Sequence, residues 1–247
     1  MKSKPVLSKL TAFVFLSVAL NPAAQDSGQI VDRFQDAYRS SRTLQANFLQ
    51  RYFDNGREMR SEAGIAYFGR PGKMRWEYQS PEHNLYVIDG KWSWFYVPAD
   101  HTVTRVRARE SSDWRTPLAL LAGEMKVSRI CAKVTVDLSE LPSARSNIVL
   151  RCELRGSGMA KQDASRHGTP RAKAAEETVL FEVNAGSGEL SRIVVSDPGG
   201  IRVEFQFSAW RFDPHLDPRI FRFDPPTGVA IVDGELAGPG PGPTGRL

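Results

Sequence analysis

Apolar and polar residues alternate one by one through Leu44-Gln45-Ala46-Asn47-Phe48-Leu49-Gln50, where Leu44, Ala46 and Phe48 share a face. They do so again through Lys73-Met74-Arg75-Trp76-Glu77-Tyr78, where Met74, Trp76 and Tyr78 do. A period of two throws successive side chains to opposite sides of a strand, so both segments predict a sheet with one dry face. Asp89-Gly90 separates Leu85-Tyr86-Val87-Ile88 from Lys91-Trp92-Ser93-Trp94-Phe95-Tyr96 and predicts a two-residue hairpin, with Val87 opposite Trp92 and Leu85 opposite Trp94 on a common face. Further strands are predicted over 127–138, 147–154, 179–183, 189–195 and 201–209. In the last of these, Ile201, Val203, Phe205, Phe207 and Ala209 oppose Arg202, Glu204, Gln206 and Ser208. Two segments change period. Over 27–41, Ile30, Val31, Phe34, Ala37 and Tyr38 fall at helical spacing, and over 114–123 Leu118, Leu120 and Leu121 follow a capping Asp113, with Pro117 in the first turn and Gly123 as the stop.

Two short helices cannot cover so many half-apolar strands, so the sheet must curl or meet a second sheet. A closed barrel or sandwich filled by its own side chains is one solution. A curved sheet whose apolar concavity takes a guest is the other. Composition does not separate them: at 41% hydrophobic and 25% charged, the 247 residues describe an ordinary globular chain. Charge does exclude a class. Lys2, Lys4 and Lys9 account for part of the net +5, and the chain after residue 24 holds 30 basic against 28 acidic residues, too balanced for a phosphate-backbone stripe. Nucleic acid is not an expected partner.

The first 24 residues read as an address. Three lysines precede an apolar run over 10–20, which is shorter than the about 20 residues a spanning helix needs and is followed by Asn21-Pro22-Ala23-Ala24. A cleaved signal peptide over 1–24 is expected, and no Cys stands at its junction to accept a lipid anchor. In an oxidising compartment Cys131 and Cys152 gain meaning: a hairpin centred on Leu141-Pro142-Ser143 sets them opposite each other and permits a disulfide, two separate buried thiols being the alternative. With four scattered His they form no zinc spacing. There is no Gly-x-Ser-x-Gly elbow and no phosphate-binding Gly-Lys-Ser/Thr loop, so neither an esterase nor ATP binding is expected. The polar stretch 156–177 reads as an inserted loop, and the Gly/Pro run over 234–247 as an unstructured tail.

Several strings taken together carry a resemblance. Leu44-x-Ala46-x-Phe48-x-Gln50, Gly69-Arg70-Pro71-Gly72-Lys73-Met74-Arg75-Trp76-Glu77-Tyr78 and Val87-Ile88-Asp89-Gly90-Lys91 come first. Thr116-Pro117-Leu118-Ala119-Leu120-Leu121 and Phe221-Arg222-Phe223-Asp224-Pro225-Pro226-Thr227-Gly228-Val229 follow. In order and spacing the chain from 29 to 233 resembles the LolA family of periplasmic outer-membrane lipoprotein carriers. The resemblance implies a mainly β domain over 25–233, an incomplete antiparallel barrel, open on one side, with a helical lid over a hydrophobic cavity. It implies that Arg70 latches the lid by hydrogen bonds to backbone carbonyls. It also implies that Phe48, Met74, Trp76, Tyr78, Leu85, Val87, Trp94, Leu118, Leu121, Val203 and Phe205 line the cavity. The implied cargo is the acyl chains of lipoproteins, received from an inner-membrane ABC transporter and passed to an outer-membrane receptor of the LolB type by a soluble periplasmic monomer without cofactor, metal or catalytic residue. A paralogue carrying another lipidated or glycolipid cargo, or a lipoprotein-sensing regulatory module, shares the same expectations.

Overall fold

The computed structural model describes residues 27–108, 118–123, 126–155 and 178–234. The expected signal peptide, the Asp113 cap with Pro117, the 156–177 insertion and the tail after Gly234 lie outside the described residues. A helix α1 (Ser27–Arg39) opens the fold. It is followed by β1 (Thr43–Asp54), β2 (Arg57–Gly69), β3 (Lys73–Ser80), β4 (Leu85–Ile88), β5 (Trp92–Val97) and β6 (Thr102–Arg107). Two single-turn helices, α2 (Ala119–Ala122) and α3 (Val127–Ile130), lead to β7 (Cys131–Val136) and β8 (Asn147–Leu154). Then come β9 (Thr178–Asn184), β10 (Leu190–Ser196), β11 (Ile201–Phe212) and the short β12 (Ala230–Asp233).

Among the described residues these strands form one twelve-stranded sheet in the order β12-β6-β5-β4-β3-β2-β1-β11-β10-β9-β8-β7. The sheet is open, with β12 and β7 at its ends, and every pairing is antiparallel except β12 on β6. It is two local meanders, β1 to β6 and β7 to β11, joined by a single seam in which β1 pairs with β11. The alternation read from β1, β3 and β11 marks the inner face, where Leu44, Ala46, Phe48, Met74, Trp76, Tyr78, Val203, Phe205 and Phe207 are buried together. The helix α1 lies on this face and buries Ile30, Phe34 and Tyr38, with the Phe34 ring 5.8 Å from Phe181 and the Tyr38 ring 5.1 Å from Trp210. Gly188, at φ +74°, lets the chain press against α1: a Cβ there would sit 2.4 Å from the Arg33 carbonyl oxygen.

The structure corrects several local expectations. The hairpin turn is Gly90-Lys91, one residue later than predicted, so Val87 faces Trp94 and Leu85 faces Tyr96. The cause is the Asp89 carboxylate, which accepts bonds from the Lys91 and Trp92 backbone N–H groups and from the Trp94 indole. Residues 127–130 make a helical turn instead of opening a strand, with the Gln35 side-chain oxygen accepting the Val127 N–H. Cys131 pairs with Leu154, and Val134 with Cys152, across a bulge between 131 and 133. The cysteines are nevertheless joined, diagonally, at a Cα–Cα separation of 5.3 Å. Ala209 leaves the apolar face at the β1–β11 irregularity, where its φ is +53° and its side chain is exposed.

Leu85, Val87 and Trp94 are the larger correction. They do not share a face with Met74, Trp76 and Tyr78. Trp76 pairs with Tyr86 and Met74 with Ile88, so Val87 and Leu85 point to the opposite side. There they form a separate cluster with Val103, Trp92, Tyr96, Phe223 and Val229. Both faces of β4 and β5 are apolar, and a period of two cannot assign an inside to such a run. A C-terminal strap from the turn Pro218–Phe221 to β12 covers this outer side, placing Phe223 5.6 Å from Trp94 and 5.7 Å from Tyr96. Asp233 pairs with both Nε and Nη2 of Arg105 at the end of the strap.

Candidate functional site

The site is built where β2 ends. Its inner-facing positions shrink toward the middle of the sheet, with Gly64 and Ala66 leaving room under the larger rings of neighbouring strands. Trp76 fills that room. Its indole, 1% exposed, lies 4.6 Å from Phe48, 5.9 Å from Phe68, 5.5 Å from Phe205 and 6.0 Å from Phe207. Such edge and tilted contacts add to area burial in holding aromatic rings. Among the described residues the Trp76 indole N–H has no hydrogen-bond partner, so a polar donor sits inside an apolar wall. At one end of the face the Tyr78 hydroxyl donates to the Gln50 side-chain oxygen at 2.9 Å, a polar end to the aromatic wall.

Leu118, Leu120, Leu121 and Ala122 close the other side of this wall and are all buried in the same cluster. The four-residue helix α2 that follows Leu118 has no side-chain cap, and so little of its own to hold it. What holds it is the turn after β2. Gly72 N–H donates to the Ala122 carbonyl at 2.8 Å, and Arg70 Nε donates to the Leu121 carbonyl at 3.3 Å. The same guanidinium reaches α1: Nη1 donates to the carbonyls of Tyr38, Arg39 and Ser41 at 2.6, 3.1 and 2.7 Å. One side chain thus ties the end of α1 to α2 across the mouth of the apolar face. The carbonyl end of a helix carries partial negative charge, which suits a cation. Burial pulls the Arg70 pKa below its ordinary value, and the Asp213 carboxylate nearby opposes that pull.

Of the residues singled out in the sequence, Phe48, Met74, Trp76, Tyr78, Leu118, Leu121, Val203 and Phe205 are gathered on one face. Leu85, Val87 and Trp94 are not. Sequence reasoning missed Phe68, Phe207 and Trp210, which complete the wall, and Tyr38, whose carbonyl takes the shortest Arg70 bond. The Tyr38 hydroxyl also accepts the Leu190 N–H at 2.8 Å, and burial drives its pKa well above the ordinary phenol value. No group of three or more His, Cys, Asp or Glu is placed to hold a metal among the described residues. No described helix is long and apolar enough to cross a membrane.

The inner side is thus an aromatic face of an open antiparallel sheet, covered by short helices that an arginine ties down. The family model of the outer membrane lipoprotein carrier protein LolA matches residues 39–144. An outer-membrane lipoprotein carrier protein of Dechloromonas aromatica is 31% identical over 87% of this chain and 92% of its own. One from Chromobacterium violaceum is 30% identical over 94% of this chain and all of its own. The chain belongs to the LolA family. A crystal structure of a LolA superfamily protein from Nitrosomonas europaea, 11% identical, covers 80% of this chain and 97% of its own at a TM-score of 0.40.

Proposed function

We propose that this protein is a periplasmic carrier of outer-membrane lipoproteins, holding their acyl chains against the aromatic face and under the lid. The observation that carries the reading is the Arg70 latch: the lid is held by a few hydrogen bonds to neutral carbonyls, which water can take over, and by apolar contact, which a hydrocarbon chain can replace. An acyl chain cannot cross water unaided. At about 0.8 kcal/mol per CH₂, a chain of roughly 15 methylenes carries on the order of 10 kcal/mol of unfavourable hydration. The guest and Leu118 and Leu121 compete for one wall. Opening the latch costs several bonds of about 1 kcal/mol each, which lowers net affinity and permits release.

The unpartnered Trp76 indole N–H supports a guest with a carbonyl near its chain, because an ester or amide oxygen brought inside would accept it. On this reading the cargo arrives from an inner-membrane ABC transporter and leaves to an outer-membrane receptor, and the carrier breaks no covalent bond. Loading the Arg70→Leu variant with a triacylated lipoprotein and presenting the receptor tests the latch. Loading is expected to persist and transfer to fall; undiminished transfer removes Arg70 from the mechanism. Mass spectrometry of the complex isolated from the periplasm tests the cargo. Triacylated lipoprotein supports the reading, and a glycolipid or free fatty acid replaces it with a carrier of another lipid.

A further inference from the structure

The latch has a second side. Arg70 also lines a crevice of about 1040 Å³ whose other charged walls are Arg39, Arg42, Lys126 and Arg129. Three parts of the chain converge there: the end of α1, the turn after β2 and the turn α3. No carboxylate lies among the described residues that line it. Of the crevice arginines, Arg39 carries one exposed pair, with Asp36 one turn earlier on α1, which an anion of higher charge can displace; Asp213 accepts the backbone N–H groups of Arg42 and Thr43. Within this cationic wall Arg70 Nη2 is buried and has no hydrogen-bond partner among the described residues, although Nη1 and Nε of the same guanidinium are used. A buried charged donor left without an acceptor is unusual in a settled structure and marks a place for one.

We propose that this crevice binds a phosphate group, whose oxygens accept from Arg70 Nη2 and from the guanidinium groups of Arg39 and Arg42. A guanidinium fork matches phosphate oxygens in pairs, and several positive charges at one place suit an anion that spreads negative charge over several oxygens. The crevice is far larger than a phosphate alone, so it accepts one still attached to a headgroup. Because Nη2 is buried, phosphate reaches it only as the guanidinium turns out of its bonds to the carbonyls of Tyr38, Arg39, Ser41 and Leu121, and so loosens the lid. The binding step stands on the crevice alone, whereas the loosening step rests on the lid reading above.

The test uses the full mature chain, the double variant Arg39→Gln with Arg42→Gln, and three probes at physiological salt: inorganic phosphate by calorimetry, and vesicles of phosphatidylcholine alone or mixed with phosphatidylglycerol by co-sedimentation. Saturable binding of inorganic phosphate identifies a free anion as the ligand. Preference for phosphatidylglycerol vesicles identifies the headgroup. In either case the double variant, with melting temperature unchanged as the check on folding, binds about tenfold more weakly or worse. Equal binding by the parent and the double variant, or no binding of any probe, overturns the site. Thiol labelling of Leu121→Cys should quicken when the ligand is added. Binding without that change overturns the competition with the lid, while the lipoprotein transfer assay judges the carrier reading separately.

Discussion

Two arginines each fasten a cover onto this sheet, and they do it with opposite chemistry. On the inner face Arg70 reaches only backbone carbonyls, those of Tyr38, Arg39, Ser41 and Leu121. On the outer face Arg192 reaches carboxylates: Nε donates to Glu182 at 2.7 Å, and Nη1 to Glu140 at 3.2 Å and to Glu204 at 3.5 Å. Its Nη2 also holds the Leu141 carbonyl, so the 137–147 loop is drawn down over the strands. Glu182, 1% exposed, takes further bonds from the Ser143 N–H and hydroxyl and from the Asn147 amide. Carbonyls released by Arg70 can be rehydrated at little cost. A buried carboxylate released by Arg192 cannot. The inner cover is thus held by bonds that water can replace, and the outer one by a buried charge cluster that it cannot.

The sharpest way to break this contrast is Arg192→Met. It strands Glu182 in the outer face and is expected to cost about 3–5 kcal/mol, read as a lower urea midpoint. Adding Glu182→Gln should return part of that loss, and a double variant no better than the single one would mean that Glu182 is not the stranded charge. Reducing the Cys131–Cys152 bridge, which spans a sequence separation of 21, comes next at about 3 kcal/mol in the chain-entropy model, measured with and without reductant. It should leave lipoprotein transfer intact, because the bridge joins β7 and β8 and touches no latch bond.

Acid sharpens the comparison further. Burial pushes the Glu182 carboxyl up, but bonds from Ser143, Asn147 and Arg192 together bring it below the ordinary 4.5. Glu140 is lowered chiefly by its bond from Arg202. Because the folded pKa values are depressed, their stabilisation is complete above about pH 4.5 and disappears as pH falls through the folded values. The outer clasp should therefore loosen at pH 3 while the carbonyl latch does not, which amide exchange on β9 and on α2 can separate. Arg70→Leu is expected to cost less than Arg192→Met, about 1–2 kcal/mol, with its main effect on release. Trp76→Phe trades a lost unpaired donor against the space left among four packed rings and should cost about 1 kcal/mol in urea, yet weaken cargo retention further if an ester oxygen uses that N–H.

The parts of this design differ in how plainly the residues announce them. Strands β1, β3 and β11 were legible because large apolar side chains occupy most inward positions, Ala46 and Gln50 of β1 being exceptions. The strand β2 was not, since its inward residues include Glu62, Gly64 and Ala66 while Ile65 and Tyr67 point outward, which reverses the expected signal. The assignment of Leu85, Val87 and Trp94 failed for another reason: the strap that dries their side is a distant stretch, 218–233, with no apolar period of its own. Arg70 could be placed by resemblance, but its bonds to the end of α1 depend on carbonyls, which every residue possesses and no sequence pattern marks. The Arg192 clasp was hidden because Glu204 and Arg202 read as a solvated polar face.

The seam between β1 and β11 sets an order of assembly. Asn47 meets Ser208 and Tyr52 meets Val203, partners more than 150 positions apart, whereas within each meander neighbours in the sheet are neighbours in the chain. Each half can zip locally, but neither completes its wall until β11 reaches β1, and that joining must close the longest loop in the sheet. A polypeptide arranged in this way keeps its inner wall in two separate pieces until its last third has folded onto its first.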